Sequence, residues 1–312
     1  MRVFLAGGTG VLGRPLLPRL LAAGHQVTAT TRSPERADRL RASGADAVVV
    51  DAFHSDALHG AVVAARPDVV LHQLTALSEP ATDYASWLVD TNRLRGEVTG
   101  VLVDAARAAG AHRVVAQSAS FMTAPNGPWL LDEAAPLYTD APEPLLGHVT
   151  ANLALERAVL GADGIDGVVL RYGFLYGPGT GFAPGGDFAE AVRLGRQPVV
   201  GDGQGRYPFV HVDDAVAVTA TAVERGAPGV YNVVDDEPAP ARDWVPFLAD
   251  LIGGPEPAVI PADVAERDLG PQTVYYGTQL RGAANDRAKR ELGMQLAHPS
   301  WRQGFREVFD AG

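Results

Sequence analysis

Val3-Phe4-Leu5-Ala6-Gly7-Gly8-Thr9-Gly10-Val11-Leu12-Gly13 decides the fold. The apolar run from Val3 to Ala6 breaks at Gly7, and glycines recur at Gly7, Gly10 and Gly13. A helical pattern follows at once, with Leu16, Leu17, Leu20 and Leu21. A strand, a glycine turn and a helix in this order place a helix N-terminus and free backbone N–H groups under a pyrophosphate. Gly7 permits the tight turn, Gly10 the close approach of phosphate, and Gly13 the packing of helix on strand. The loop from Gly7 to Gly13, with Thr9, Val11 and Leu12 between the glycines, is the predicted dinucleotide cradle.

Working outward, the next strand spans 25–30, after the Gly24 that ends the first helix. Where an NAD site places an acid to hold the ribose 2′-OH, this chain has Thr31, with Arg32, Ser33 and Arg36 just after. An acid repels a 2′-phosphate, whereas an arginine binds it through paired charge-assisted hydrogen bonds. The expectation is therefore NADP(H), preferred over NAD, with Arg32 and Arg36 at the phosphate. A helix over 34–43 follows, then a strand over 47–50 ending at Asp51 and Ala52, which are placed to face adenine. For Asp51 the alternative is a helix cap. A fourth strand, 69–71, runs into His72-Gln73-Leu74-Thr75, where Leu74 and Thr75 are further cofactor candidates. A long helix over 84–109 carries Asn92, and a fifth strand, 114–116, opens into Gln117-Ser118-Ala119-Ser120. Alternating strands and helices predict an α/β fold, a Rossmann-like doubly wound parallel sheet.

Residues 121–147 are irregular and suit a loop over the carboxyl ends of the strands. A helix over 148–160 and a strand over 168–170 follow. Beyond about residue 172 the predicted elements are shorter: helices over 188–194, 213–224, 244–251, 285–292 (capped by Asn285) and 301–309, and strands over 198–200, 209–212 and 230–233. The segment 259–279 is poorly patterned. The expected division is a cofactor domain of 1–171 plus about 208–234, and a smaller mixed α/β substrate domain of about 172–207 and 235–312.

Composition excludes several functions. The chain has 312 residues, 46% of them hydrophobic, enough for a large core. Its net charge of -11 argues against a nucleic-acid partner, because phosphate binding wants clustered Lys and Arg. No apolar run approaches the ~20 residues of a membrane span, and no signal peptide is evident, so a cytoplasmic protein is expected. Cysteine is absent, which removes thiolate chemistry and Cys–zinc sites, and no metal site is expected.

With these motifs in place, the chain resembles the extended short-chain dehydrogenase/reductase family, which includes the sugar-nucleotide epimerases and dehydratases. The resemblance spans nearly the whole length. It rests on the Gly7–Gly13 loop, Asn92 and Ser118, and on Leu170-Arg171-Tyr172-Gly173 running into Tyr176-Gly177-Pro178-Gly179. Phe209-Val210-His211-Val212-Asp213-Asp214 and Ala288-Lys289-Arg290-Glu291-Leu292-Gly293 add to it. It implies catalytic roles near the reacting oxygen for Ser118 and Asn92. It also implies a place between nicotinamide and substrate for the segment holding Tyr172 and Gly173. His211 and Asp213 read as cap and packing residues.

The chain departs from that family in its acid/base chemistry. The family's Tyr-x-x-x-Lys pair needs a lysine to lower the tyrosine's pKa. Lys289 is the only lysine here, and position 285 is Asn. Aligned on Glu156, the tyrosine's place is His148 and the lysine's is Asn152. A second departure is Tyr207, with Arg206 before it, where sugar-nucleotide enzymes carry a diphosphate-binding arginine. Ser120, Phe174, Tyr176 and Tyr207 are substrate candidates, with Tyr172, Tyr275 and Tyr276 as further aromatic lining for a flatter substrate.

The expected function is an NADPH-dependent ketoreductase acting on a bulky, aromatic natural-product carbonyl. It resembles the Tyr-less reductases of actinomycete tailoring pathways, including antibiotic biosynthesis, and its proton comes from Ser118, His148, the substrate or water. The alternatives are a nucleotide-sugar epimerase or dehydratase, and a non-catalytic NADP-binding regulator with an occluded cleft. A homodimer through the helices over 84–109 and 148–160 is expected from the resemblance.

Overall fold

A computed structural model describes residues 1–77 and 84–310. Its centre is a seven-stranded, wholly parallel sheet. The strands are β1 (Arg2–Ala6), β2 (Gln26–Thr31), β3 (Asp46–Val49), β4 (Val69–His72), β5 (Arg113–Ala119), β6 (Asp166–Tyr172) and β7 (Gly229–Val233). Their order is β7-β6-β5-β4-β1-β2-β3. The strand order reverses between β1 and β4, the crevice where doubly wound sheets bind ligands. The doubly wound parallel sheet read from the sequence is what the chain forms.

Both faces of the sheet are covered. On one side Leu5, Val27, Leu71, Val115 and Leu170 pack with Leu16 and Leu20 of α1 (Gly13–Ala22). On the other, Phe4, Val70, Val114 and Val169 pack with α3 (Ser55–Ala65) and the helices after β4 and β5. Two-sided burial is why β1 and β4 read as nearly unbroken apolar runs. Helix α2 (Pro34–Ala42) begins with Pro34 in its first turn, capped by Ser33 Oγ accepting from the Arg36 N–H. Helix α3 has no counterpart among the elements expected from sequence, because its small, mixed residues give little periodic signal.

After β4 the chain forms α4 (Tyr84–Arg93), a π-helical turn (Leu94–Val98) and α5 (Thr99–Ala109). The predicted single long helix thus carries a π turn at its middle, a feature common at functional sites. Helix α6 (Leu145–Leu160) starts three residues earlier than expected.

A second aromatic-rich core joins residues 119–149 to residues C-terminal to β6, among them Tyr176, Phe182, Phe209, Trp244, Trp301 and Phe305. The strand Phe174–Tyr176 pairs in parallel with Phe209–His211. Helix α8 (Val212–Ala222), which follows α7 (Asp187–Arg193), is capped by His211 Nδ1 accepting from the Asp213 N–H. Asn285 corrects its sequence reading. Its side chain does not cap the helical turn after it. Instead Nδ2 donates to Val234 O, Asp235 O and Asp236 Oδ1, tying that turn to the loop after β7. The unpatterned 259–279 stretch holds helices Ala262–Leu269 and Pro271–Val274 and a π turn at Tyr275–Gln279.

Candidate functional site

The glycine loop meets the steric demands of a dinucleotide cradle. Gly7 has φ +100°, and a Cβ there would lie 2.7 Å from Gln73 O. A Cβ on Gly13 would lie 2.1 Å from Gly7 O, so only glycine lets α1 start against β1. At Gly10 the one close atom is Gly7 O, at 3.4 Å, which leaves that face of the loop open to a phosphate. Arg14, in the first turn of α1, brings Nη2 beside Gly179 and adds positive charge that sequence reading missed. Gly7, Gly10 and Gly13 and the start of α1 therefore fit a pyridine dinucleotide, whose reduced form supplies a hydride.

Around the cradle, Arg32 and Arg36 are exposed at the β2–α2 junction and make no ion pair among the described residues. Thr30 Oγ1 accepts from the Gly7 N–H, fixing the loop to β2. Asp51 Oδ1 accepts from the Phe53 N–H, a local turn that engages one of its two oxygens. Ala52 is buried and Thr75 exposed, and the Leu74 N–H is spent on His72 Nδ1. Tyr172 is buried, its hydroxyl donating to Thr219 Oγ1 at 2.6 Å, so its phenol is engaged within the protein.

The chemistry-bearing side chains fall into two buried groups along α6. In the first, Ser118 Oγ donates to Glu156 Oε1 at 2.8 Å and lies 3.1 Å from Asn152 Oδ1. Glu156 is gripped by Arg171 through two hydrogen bonds, of 2.8 and 2.7 Å. In the second, His148 Nδ1 lies 2.6 Å from Asn92 Oδ1, and Arg95 Nη1 lies 3.0 Å from His148 Nε2. Asn92 Oδ1 and the guanidinium fix the tautomer assigned to the ring: Nδ1–H donates and Nε2 accepts. Burial, and then the Arg95 charge, hold the imidazole pKa well below its usual value, so His148 is neutral. Asn152 Nδ2 donates to His148 O and joins the groups. In this arrangement Ser118 and His148 each have their one proton in a hydrogen bond within the protein.

Beyond these groups lies an aromatic wall. Phe121 stacks on Phe174 with ring centres 4.1 Å apart, and Phe174 contacts Tyr207 and Tyr276. Phe121, Phe174 and Tyr276 are half-buried, as a ligand-facing surface requires. Two sequence candidates fall elsewhere. Tyr176 is fully buried among His211, Phe209 and Phe305, in the second core. Tyr275 donates to Thr123 O at 2.7 Å and is likewise a core residue. Ser120 donates to Tyr172 O. Arg95, which sequence reading passed over, stands at the centre of the second group.

Residues 3–233 match the NAD dependent epimerase/dehydratase family. The chain belongs to that family. A Streptomyces 3-diazoavenalumate denitrifying reductase is 51% identical, over 98% of this chain and 99% of its own. A Stigmatella aurantiaca ketoreductase, acting on a 4-hydroxy-2-methyl-3-oxo-4-farnesyl-3,4-dihydroquinoline-1-oxide, is 30% identical over 100% and 98%. A human epimerase family protein solved with NADPH superposes with a TM-score of 0.73 at 22% identity, covering 99% of this chain and 98% of that one. That likeness speaks for the fold. Its full-length relatives thus include two proteins named as reductases.

Among the described residues no helix is long and apolar enough to cross a membrane, and no cluster of His, Asp or Glu has the arrangement of a metal site.

Proposed function

We propose that this protein is an NADPH-dependent reductase that delivers hydride to an aromatic small molecule without donating a proton of its own. The observation that carries the reading is that Ser118 and His148 have their protons engaged by Glu156 and Asn92. Reducing a ketone forms an alkoxide and demands an acid, worth roughly 10²–10⁴-fold when an enzyme supplies one. Reducing a ring carbon that bears a diazo group demands none. Hydride adds to that carbon, the C–N bond breaks, and dinitrogen leaves with its electron pair. A diazo-phenolate thereby becomes a phenolate.

The Streptomyces relative's name describes chemistry of this kind, which favours a diazo arene as substrate. Arg32 and Arg36, free of ion pairs among the described residues, favour NADPH over NADH. Half-buried Phe121, Phe174 and Tyr276 suit a flat ring. The protein's part is to hold that ring over the nicotinamide, since orientation contributes about 7–11 kcal/mol to such a step.

A second reading, a ketoreductase with proton from substrate or water, is favoured by the Stigmatella relative. A non-catalytic regulator accounts for the burial of Ser118 and His148 but not for the reductases among the full-length relatives.

The test is purified protein with NADPH and a panel of ortho-diazo-phenols, quinones, hydroxyaryl ketones and nucleotide sugars, following cofactor absorbance and released dinitrogen. Stoichiometric cofactor oxidation and dinitrogen release with diazo-phenols alone supports the first reading. Turnover of ketones alone overturns it in favour of the second, and tight NADPH binding with no turnover overturns both.

A further inference from the structure

Arg95 is a buried cation with no anionic partner among the described residues. It is 4% exposed, and none of the salt bridges among the described residues includes it. Its Nη1 meets neutral His148, its Nε has no hydrogen-bond partner, and no hydrogen bond runs from Nη2 among the described residues. Burial lowers its pKa to about 10, so at neutral pH the guanidinium remains charged. The other buried arginine of the site, Arg171, shows the contrast, because Glu156 neutralises it through two hydrogen bonds. Buried charges are ordinarily paired, and an uncompensated one costs several kcal/mol.

The fold fixes this charge in place. Arg95 lies in the π turn, and the Thr99 hydroxyl donates to its carbonyl at 2.8 Å. Thr99 in turn is 3.1 Å from His72 Nε2 at the end of β4, whose Nδ1 accepts from Leu74 N–H. A relay of hydrogen bonds thus ties the arginine's backbone to the strand end beside the cofactor cradle. On the other side, the Tyr84 and Tyr276 hydroxyls are 2.8 Å apart. Tyr276 also belongs to the aromatic wall, 5.9 Å from Phe174.

We propose that Arg95 receives an oxyanion, a carboxylate or a phenolate, carried by the aromatic substrate. The Nε–Nη2 edge is the planar fork that takes a carboxylate by two parallel hydrogen bonds, and a phenolate by one or both. His148, held neutral and clamped by Asn92, orients the fork by accepting from Nη1. The substrate anion supplies the charge the chain withholds, so neutral analogues of the same shape are rejected at this subsite. The inference rests on the preceding reading only in taking the substrate to be aromatic.

The experiment is calorimetric binding to NADP⁺-saturated protein, wild type, Arg95→Gln and Arg95→Met, with three probes: 4-hydroxycinnamate, its methyl ester and 4-methoxycinnamate. Wild type is expected to bind 4-hydroxycinnamate at least about tenfold tighter than one of its neutralised derivatives. Loss with the ester identifies the carboxylate as the group held, and loss with the methyl ether identifies the phenolic oxygen, held as phenolate where affinity rises with pH through the phenol's ionisation. Both variants lose that discrimination while binding the neutralised derivative as wild type does. Ligand-free Arg95→Met, having shed an unpaired buried charge, melts no lower than wild type, a result that a purely structural arginine would not give.

The proposal is overturned if wild type binds the three probes alike or not at all, or if the variants keep the discrimination. It is also overturned if Arg95→Met melts well below wild type. That is the outcome if a carboxylate of the chain itself neutralises the arginine. Discrimination with no turnover of any electrophile contradicts the reductase reading and leaves the Arg95 subsite standing. Turnover with no discrimination does the reverse.

Discussion

The hydroxyl of Ser118 donates to the carboxylate of Glu156 at 2.8 Å, and that carboxylate is locked by Arg171. A serine in this bond holds α6 against β5, and on the proposed reading its proton stays there rather than passing to the substrate. Ser118→Ala is expected to cost about 1–3 kcal/mol of stability, the loss of one hydrogen bond from a buried carboxylate. Its effect on kcat is expected to stay under about tenfold, below the contribution of a working general acid. Denaturant unfolding alongside steady-state kinetics checks both, and a larger kcat loss with unchanged stability contradicts the assignment.

His148 responds to pH through stability rather than through turnover. Its native pKa is depressed by burial and by Arg95, while the unfolded chain titrates near 6.5. The unfolded state therefore takes up this proton first, and the contribution of His148 to stability is lost as pH falls below 6.5. The difference in unfolding free energy between wild type and His148→Gln should shrink with acidification by up to about 1.4 kcal/mol per pH unit. The pH profile of kcat should show no inflection near 6.5.

Asp235 carries the opposite sign. Burial pushes its carboxyl up from 3.8 to about 8, against the Glu237 N–H bond that its Oδ1 accepts. The native state keeps the proton in a window where the unfolded chain has released it, so stability falls as pH rises from about 4 to 8. Asp235→Asn removes that slope and is expected to be more stable than wild type at pH 8 by about 1 kcal/mol or more. Thermal melts of both proteins across this range check the prediction.

Cofactor choice is expected to reside in one loop. Arg32→Ala should raise the KM for NADPH about tenfold or more and leave that for NADH within a factor of about two, since only the 2′-phosphate bonds are removed. Gly13→Ala places a methyl 2.1 Å from Gly7 O and should abolish binding of both cofactors. Fluorescence titration separates the two effects.

The glycine loop and the alternation of strands and helices are legible in the sequence because each depends on local pattern. The cradle is spelled by three glycines whose Cβ positions are blocked or must stay open. The missing acid/base pair is legible from composition, since a chain with Lys289 as its sole lysine cannot build it. Arg95 escapes notice because an arginine in an amphipathic helix ordinarily reads as solvated. A signal does exist. Leu88, Thr91, Arg95, Val98, Leu102 and Ala105 fall at alternating spacings of three and four, and all six are buried. The spacing of that stripe alone places Arg95 on the interior face of the helix. Tyr176 and Tyr275 illustrate the converse, since an aromatic's spacing does not say whether it faces a cleft or a core. Which atoms the protons of Ser118 and His148 engage depends on contacts between residues 34 to 56 positions apart, and no local pattern records those.

One measurement decides whether the protein contributes a proton to the proposed reaction. It is the solvent isotope effect on kcat for an ortho-diazo-phenol, with the fate of cofactor deuterium followed in the same reactions. The expected solvent effect is about 1, with deuterium from the labelled nicotinamide appearing on the ring carbon that loses dinitrogen. A solvent effect of about 2 or more, abolished in Ser118→Ala or His148→Gln, would show that one of these side chains delivers a proton after all, and would contradict a proton-free site.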